Sequence, residues 1–126
     1  SAYTATWYLG IITGPGSGNT YAAGDTMSSH AGWSENTSYS QASRPACSFG
    51  TATTANPSVI TNSSSAATFS MNGSATIAGA FLVNNNTKGG TTGTLFSAAN
   101  FSSPGDRSVV SGDTLTVTYT FSLTGT

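Results

Sequence analysis

The sequence predicts an all-β fold: a single antiparallel β-sandwich, jelly-roll-like, formed by residues 1–126. Three observations carry this prediction. Apolar residues recur at every second position in one segment after another, the period of a half-buried strand, and no stretch sustains the helical period of about 3.6 residues. The strand-like runs follow one another at spacings of about ten residues. Clusters of Gly, Pro, Asn, Asp and Ser lie between them, and these are the residues that reverse a chain.

Each element has its own warrant. "YTATWYLGII" alternates Tyr3, Ala5, Trp7 and Leu9 before doubling at Ile11 and Ile12, and the turn cluster "TGPGSGN" closes it. "AAGDTMSSHAGWSEN" mixes glycine, serine and asparagine and reads as a loop that crosses the end of a sheet. "TSYSQASRPACSFGTAT" is strand-like again, with Pro45 placing it at an edge or a strand end because proline cannot donate to a ladder. "NPSVITN" and "AATFSMNGS" precede "SATIAGAFLV", which is apolar on both sides. Ile77, Gly79, Phe81 and Val83 fall on one face, and Ala78, Ala80 and Leu82 on the other. Such a run belongs in the middle of a sandwich or against a neighbouring subunit. "NNNTKGG" and "SSPGDRS" are the turns around it and its partner "GTLFSAANF". The closing stretch "SGDTLTVTYTFSL" reads as one strand, with Leu115, Val117, Tyr119, Phe121 and Leu123 inward and Thr114, Thr116, Thr118, Thr120 and Ser122 outward. Gly-Asp-Thr occurs in both "AAGDTM" and "VSGDTL", a turn-to-strand device in which the Asp side chain can bond a backbone N–H two residues on.

Composition narrows the function. The chain is 37% hydrophobic and 10% aromatic, too apolar for a disordered tail, yet only 6% charged. Arg44, Lys88 and Arg107 stand against Asp25, Glu35, Asp106 and Asp113, a net charge of -1. That balance offers no electrostatic footprint for a phosphate backbone, so nucleic acid is excluded as a direct partner. No run of about 18 apolar residues is present to cross a bilayer, and "SAYTATWYLGIITG" lacks the basic start of a signal peptide. The lone Cys47 cannot form an internal disulfide and reads as a small apolar packing residue. A surface with so little charge resists self-association poorly, which suits a protein held in an assembly.

Reactive chemistry finds little footing. His30 is the one histidine, with Asp25, Ser28 and Ser29 near it in sequence and Asp113 able to approach in space. A Ser-His-Asp relay also needs an oxyanion hole, and no G-x-S-x-G motif supports one. His30 is therefore read as a loop histidine satisfied by a backbone carbonyl or water. One His, one Cys and scattered carboxylates give neither zinc spacing nor a calcium loop, so no metal and no cofactor is expected. The acidic residues sit at or beside turns, where capping is their default role rather than glycoside hydrolysis. "GPGSGNT" lacks the Lys-Ser/Thr ending of a phosphate loop. Asn36, Asn62, Asn72, Asn85 and Asn100 open Asn-x-Ser/Thr sequons at a frequency this composition yields by chance. Trp33 and Tyr39 are the aromatic candidates: they pack the core or anchor the long loop, form a subunit interface, or stack sugars. Arg44 completes the candidate interface trio, with a salt link to Glu35 or a stack on an aromatic ring as its plainer role.

Taken together, "WYLGII", "AAGDTMSSHAGWSE", "YSQASRPA", "GAFLVNNNTKGGTTGTLFSA" and "DRSVVSGDTLTVTYTF" resemble a family of small β-rich proteins encoded among the virion structural genes of tailed bacteriophages. The resemblance spans about Trp7 to Leu123. It implies a non-enzymatic capsid or tail component, a decoration (cement) protein bound outside the shell, and an apolar leader segment ahead of "TWYLG". The expected partners are the major capsid protein or other virion subunits, with a homo-oligomer, a trimer at a three-fold position, as the expected state. The rival reading is a tail or fibre module that binds a receptor or carbohydrate through Trp33 and Tyr39.

Overall fold

The computed structural model describes residues 7–47, 58–61, 67–101, 105–118 and 120–123, and the side chains of all of these except 58–61 and 120–123. The fold is all-β and antiparallel. Its strands are β1 (Trp7–Thr13), β2 (Glu35–Asn36), β3 (Ala46–Cys47), β4 (Ser58–Thr61), β5 (Ala67–Ser70), β6 (Ala75–Val83), β7 (Leu95–Asn100), β8 (Arg107–Val109), β9 (Thr114–Val117) and β10 (Thr120–Leu123). A six-stranded sheet is built around the pair β1–β6; β2 and β3 line the far edge of β1, and β7 and β8 the far edge of β6. Two further ladders pair β5 with β9 and β4 with β10.

The apolar run of β6 is central because both of its faces are covered. Residues 77–83 are all buried. On one face Leu9, Ile11, Ile77, Ala80 and Leu82 form a core with Ala67 and Phe69 of β5 and Val117 of β9, joined by Tyr39, Met71, Cys47 and Val109. The β5–β9 ladder is thus a second layer, and the arrangement is sandwich-like. On the other face Ile12, Phe81 and Val83 pack with Met27 and Trp33, flanked by Tyr8, Tyr21 and Leu95. The stretch after β1 therefore folds back over the face of the sheet, rather than across its end as the sequence predicts. Burying a side chain such as Met27, Trp33 or Phe81 contributes about 1.5–3 kcal/mol toward offsetting the cost of ordering so polar a loop.

Two strand readings are corrected. The register slips between Ile12↔Gly79 and Thr13↔Ile77, leaving Ala78 as the extra residue of a β-bulge. The bulge moves Ile77 to the face of Ala80 and Leu82, opposite Phe81 and Val83. The stretch 111–123 is two strands: β9 pairs with β5 and β10 with β4. Val117 is buried and Thr114, Thr116 and Thr118 are exposed, as expected of the first half. The inward positions assigned to Tyr3 and Ala5, and to the side chains of Tyr119, Phe121 and Leu123, lie outside the described residues, as do those of Thr120 and Ser122. Pro45 directly precedes the outer strand β3, in keeping with its edge assignment.

Glycine is required where strands press closest. A Cβ on Gly10 would land on the Phe81 ring opposite it, and one on Gly79 would land on the backbone oxygen of Ala99. Phe81 covers the bare Gly10 backbone across the β1–β6 ladder.

Candidate functional site

The three candidate interface residues are inside the chain. Trp33 is 3% exposed, Tyr39 0% and Arg44 1%. Trp33 donates its indole N–H to Asp25 Oδ2 (3.2 Å), stacks on the His30 ring at 3.8 Å and lies 5.2 Å from Phe81. Tyr39 meets Phe69 edge-on at 4.9 Å. Its hydroxyl is buried without a hydrogen-bond partner among the described residues, and burial, reinforced by the nearby Glu35 carboxylate, pushes its pKa well above the ordinary tyrosine value. The packing role of these aromatics is the one the fold uses. Their assignment to an exposed interface fails because the 14–34 loop and the second layer close over them.

Arg44 is a staple. Its Nε and Nη2 donate to Glu35 Oε2 and Oε1 at 3.0 and 2.8 Å, a two-pronged pair, while Nη1 and Nη2 also donate to the carbonyls of Asn85 and Gly90 at 2.8 and 2.9 Å. The guanidinium sits 5.1 Å over the Phe81 ring, and Gly89 N–H donates to Glu35 Oε1. One planar fork thereby ties the segment around β2 to the β6–β7 turn, which the rigid geometry of guanidinium suits better than an ammonium. Lys88 makes a second tie from the same turn. Its Nζ donates to the carbonyls of Tyr39 and Gln41, both at 2.8 Å, and lies 4.5 Å over the Tyr39 ring. Sequence reasoning anticipated the link of Arg44 to Glu35 and missed Lys88, whose partners are backbone carbonyls with no signature of their own.

The remaining carboxylates are bonded to the chain's own turns, although Asp106 and Asp113 stay exposed. Asp25 accepts from Ala22 N–H at 3.0 Å and Asp113 from Val110 N–H at 2.9 Å. Both Gly-Asp-Thr segments thus close the same four-residue turn, with the side-chain bond reaching three residues back rather than two forward. Asp106 accepts from Gly16 N–H with both oxygens, at 3.0 and 3.2 Å, and Asn100 bridges Gly16 O and the Tyr21 hydroxyl. This network pins the turn after β1 to the opposite edge of the sheet. Burial raises the Tyr21 pKa, the Asn19 hydrogen bond lowers it, and Asp106 adds to the rise. Among the described residues, Arg107 is the one charged side chain without such a contact, since Asp25, Glu35, Arg44, Lys88, Asp106 and Asp113 all hold the chain's own groups.

No relay is assembled at His30, whose Nδ1 is bonded to the carbonyl of Trp33 at 2.9 Å while Asp113 serves its own turn. No group of three or more His, Cys, Asp or Glu is placed to hold a metal among the described residues. Cys47 is buried in the core. An open cleft of about 320 Å³ lies beside Trp33, lined by Thr13, Pro15, Asn19 and Ser34, with no ionisable group among its lining residues. The outer face of the β5–β9 ladder presents Thr68 opposite Thr116 and Ser70 opposite Thr114, all exposed. That face carries hydroxyl groups and no charge.

Comparison with models of protein families, with curated proteins and with solved structures finds no match for this chain.

Proposed function

We propose that this chain is a non-enzymatic structural protein of a bacteriophage particle, a decoration protein that binds across neighbouring major capsid protein subunits and stabilises the shell. The observation that carries the reading is the fate of its ions. Most of them staple loops to the sheets or close turns, and the exposed Thr68, Ser70, Thr114 and Thr116 positions of the outer face carry none. An uncharged hydroxyl-rich face is easily stripped of water, because hydroxyls exchange hydrogen bonds with a partner at little net cost whereas an ion loses its hydration. The phage context rests on the resemblance of the sequence.

The mechanism is mass action. A protein that binds the assembled shell and not its dispersed subunits stabilises the shell by RT ln(1 + [L]/Kd), about 2.7 kcal/mol per site at a free concentration of 100 Kd. An oligomer of this chain, such as a trimer on a three-fold position, multiplies the contacts made at one site and strengthens the hold. The carbohydrate-binding alternative is weakened by the burial of Trp33 and Tyr39, since a stacking platform needs an exposed ring face. Quantitative mass spectrometry of purified particles tests the proposal. A copy number in fixed ratio to the major capsid protein is expected, and a few copies per particle would assign the chain to the tail instead.

A further inference from the structure

We infer that Asn72–Gly73 is a self-modifying site, at which the chain converts its own asparagine to aspartate and isoaspartate without an enzyme or cofactor. The reaction balances with water alone. The Gly73 backbone nitrogen attacks Asn72 Cγ, a new N–Cγ bond forms, the Cγ–Nδ2 bond breaks, and ammonia leaves with the proton from the Gly73 amide. Water then opens the five-membered imide. Opening at Cγ gives aspartate, and opening at the main-chain carbonyl gives isoaspartate, with the chain rerouted through Cβ and Cγ.

Four features single out this position. It is the sole Asn-Gly pair in the sequence, and glycine puts no Cβ in the path of its own nitrogen. Asn72 is exposed and Gly73 half-buried in the bend between β5 and β6, so water reaches the imide. Asn72 uses its backbone N–H, donated to Ser38 O at 3.1 Å, but neither its side-chain amide nor the Gly73 N–H is held by a hydrogen bond among the described residues. Other asparagines are restrained: the side chains of Asn84, Asn85 and Asn36 accept from the backbone N–H groups of Thr94, Thr87 and Ser38, and Asn100 is bonded at both ends of its amide.

The product acts on its surroundings. Adjacent Met71 donates its N–H to Asp113 O, accepts from Gly112 N–H, and bridges to Tyr39 in the core. An isoaspartate lengthens the main chain by one carbon directly after that bridge, and either product adds a fixed negative charge beside the exposed Asp113, at the end of the β5–β9 ladder whose Thr68, Ser70, Thr114 and Thr116 carry none.

The test is peptide mapping by mass spectrometry of the purified, folded chain during incubation at neutral to mildly alkaline pH. Asn72 is expected to convert ahead of every other asparagine, into both products. Gly73→Ala is the control: a Cβ there would meet only Ser38 Cβ, at 3.9 Å, so the fold tolerates it. It is expected to slow Asn72 to the rate of the remaining asparagines with the thermal midpoint unchanged. Persistence of the Asn72 amide while another asparagine converts first would overturn the inference, as would equal conversion in Gly73→Ala.

Discussion

Replacing Arg44 by alanine probes the staple that organises one side of the molecule. The Arg44 side chain is 0% exposed and that of Glu35 is 8% exposed, so the substitution strands a carboxylate away from water with only the Gly89 N–H to hold it. Breaking a buried pair by removing one partner costs about 3–5 kcal/mol, most of it the penalty of the orphaned charge. The carbonyls of Asn85 and Gly90 lose their donors at the same time. A domain of this length has a total stability of about 6–19 kcal/mol, so the loss is a large fraction of it. In urea unfolding with an m-value of about 2 kcal/mol/M, the midpoint falls by about 2 M at unchanged m. The paired change Glu35→Leu with Arg44→Met removes both charges together and is expected to recover most of the loss. A cost below about 1 kcal/mol for Arg44→Ala, the worth of an exposed ion pair, would refute the reasoning.

Further predictions concern Tyr39 and the sheet glycines. Tyr39→Phe removes a buried hydroxyl that has no partner among the described residues, so stability is expected to hold or rise, by up to about 1 kcal/mol, in the same unfolding assay; a loss of that size would reveal a bond to the hydroxyl. Stability is also expected to decline in alkali. Tyr39 keeps its proton in the fold above the ordinary value of 10.0 while the unfolded chain gives its proton up. Its contribution is full below pH 10 and falls above it by up to about 1.4 kcal/mol per pH unit until the folded form also ionises. Tyr39→Phe flattens that slope, and Tyr21 keeps a remnant of the same sign. Gly79→Ala drives a methyl group into the Ala99 carbonyl of the next strand and is expected to cost at least about 2 kcal/mol, read as a lowered thermal midpoint. An unshifted midpoint would contradict the close approach of β6 and β7.

The sequence revealed those features that local pattern controls. Period-two alternation and turn chemistry marked the strands, and the two-sided apolar run of "SATIAGAFLV" marked the central one, because both signals are written in neighbouring residues. Cys47 as a packing residue and Arg44 linked to Glu35 were legible from residue type and the scarcity of other partners. What stayed hidden was non-local. The extra residue at Ala78 changes the face of Ile77, yet nothing in "TIAGA" distinguishes a bulge from a regular strand. The break between β9 and β10 depends on β5 and β4 each claiming one half of an unbroken alternation. The polar surroundings of Trp33 and Tyr39 in sequence left packing, an interface and sugar stacking all open for them. They are buried because the loop folds onto Ile12, Phe81 and Val83, and the second layer onto Leu9 and Ile11.

The central claim is that a domain with so few ions, most of them bonded to its own turns and loops, is made to be gripped by its neighbours. A reconstruction of the native phage particle, even at low resolution, tests it most directly. The account predicts density of this size repeated over the shell, bridging adjacent capsid subunits, with the hydroxyl face of β5 and β9 against a partner. A shell bare at every such position, with the chain recovered as a free monomer, would contradict it.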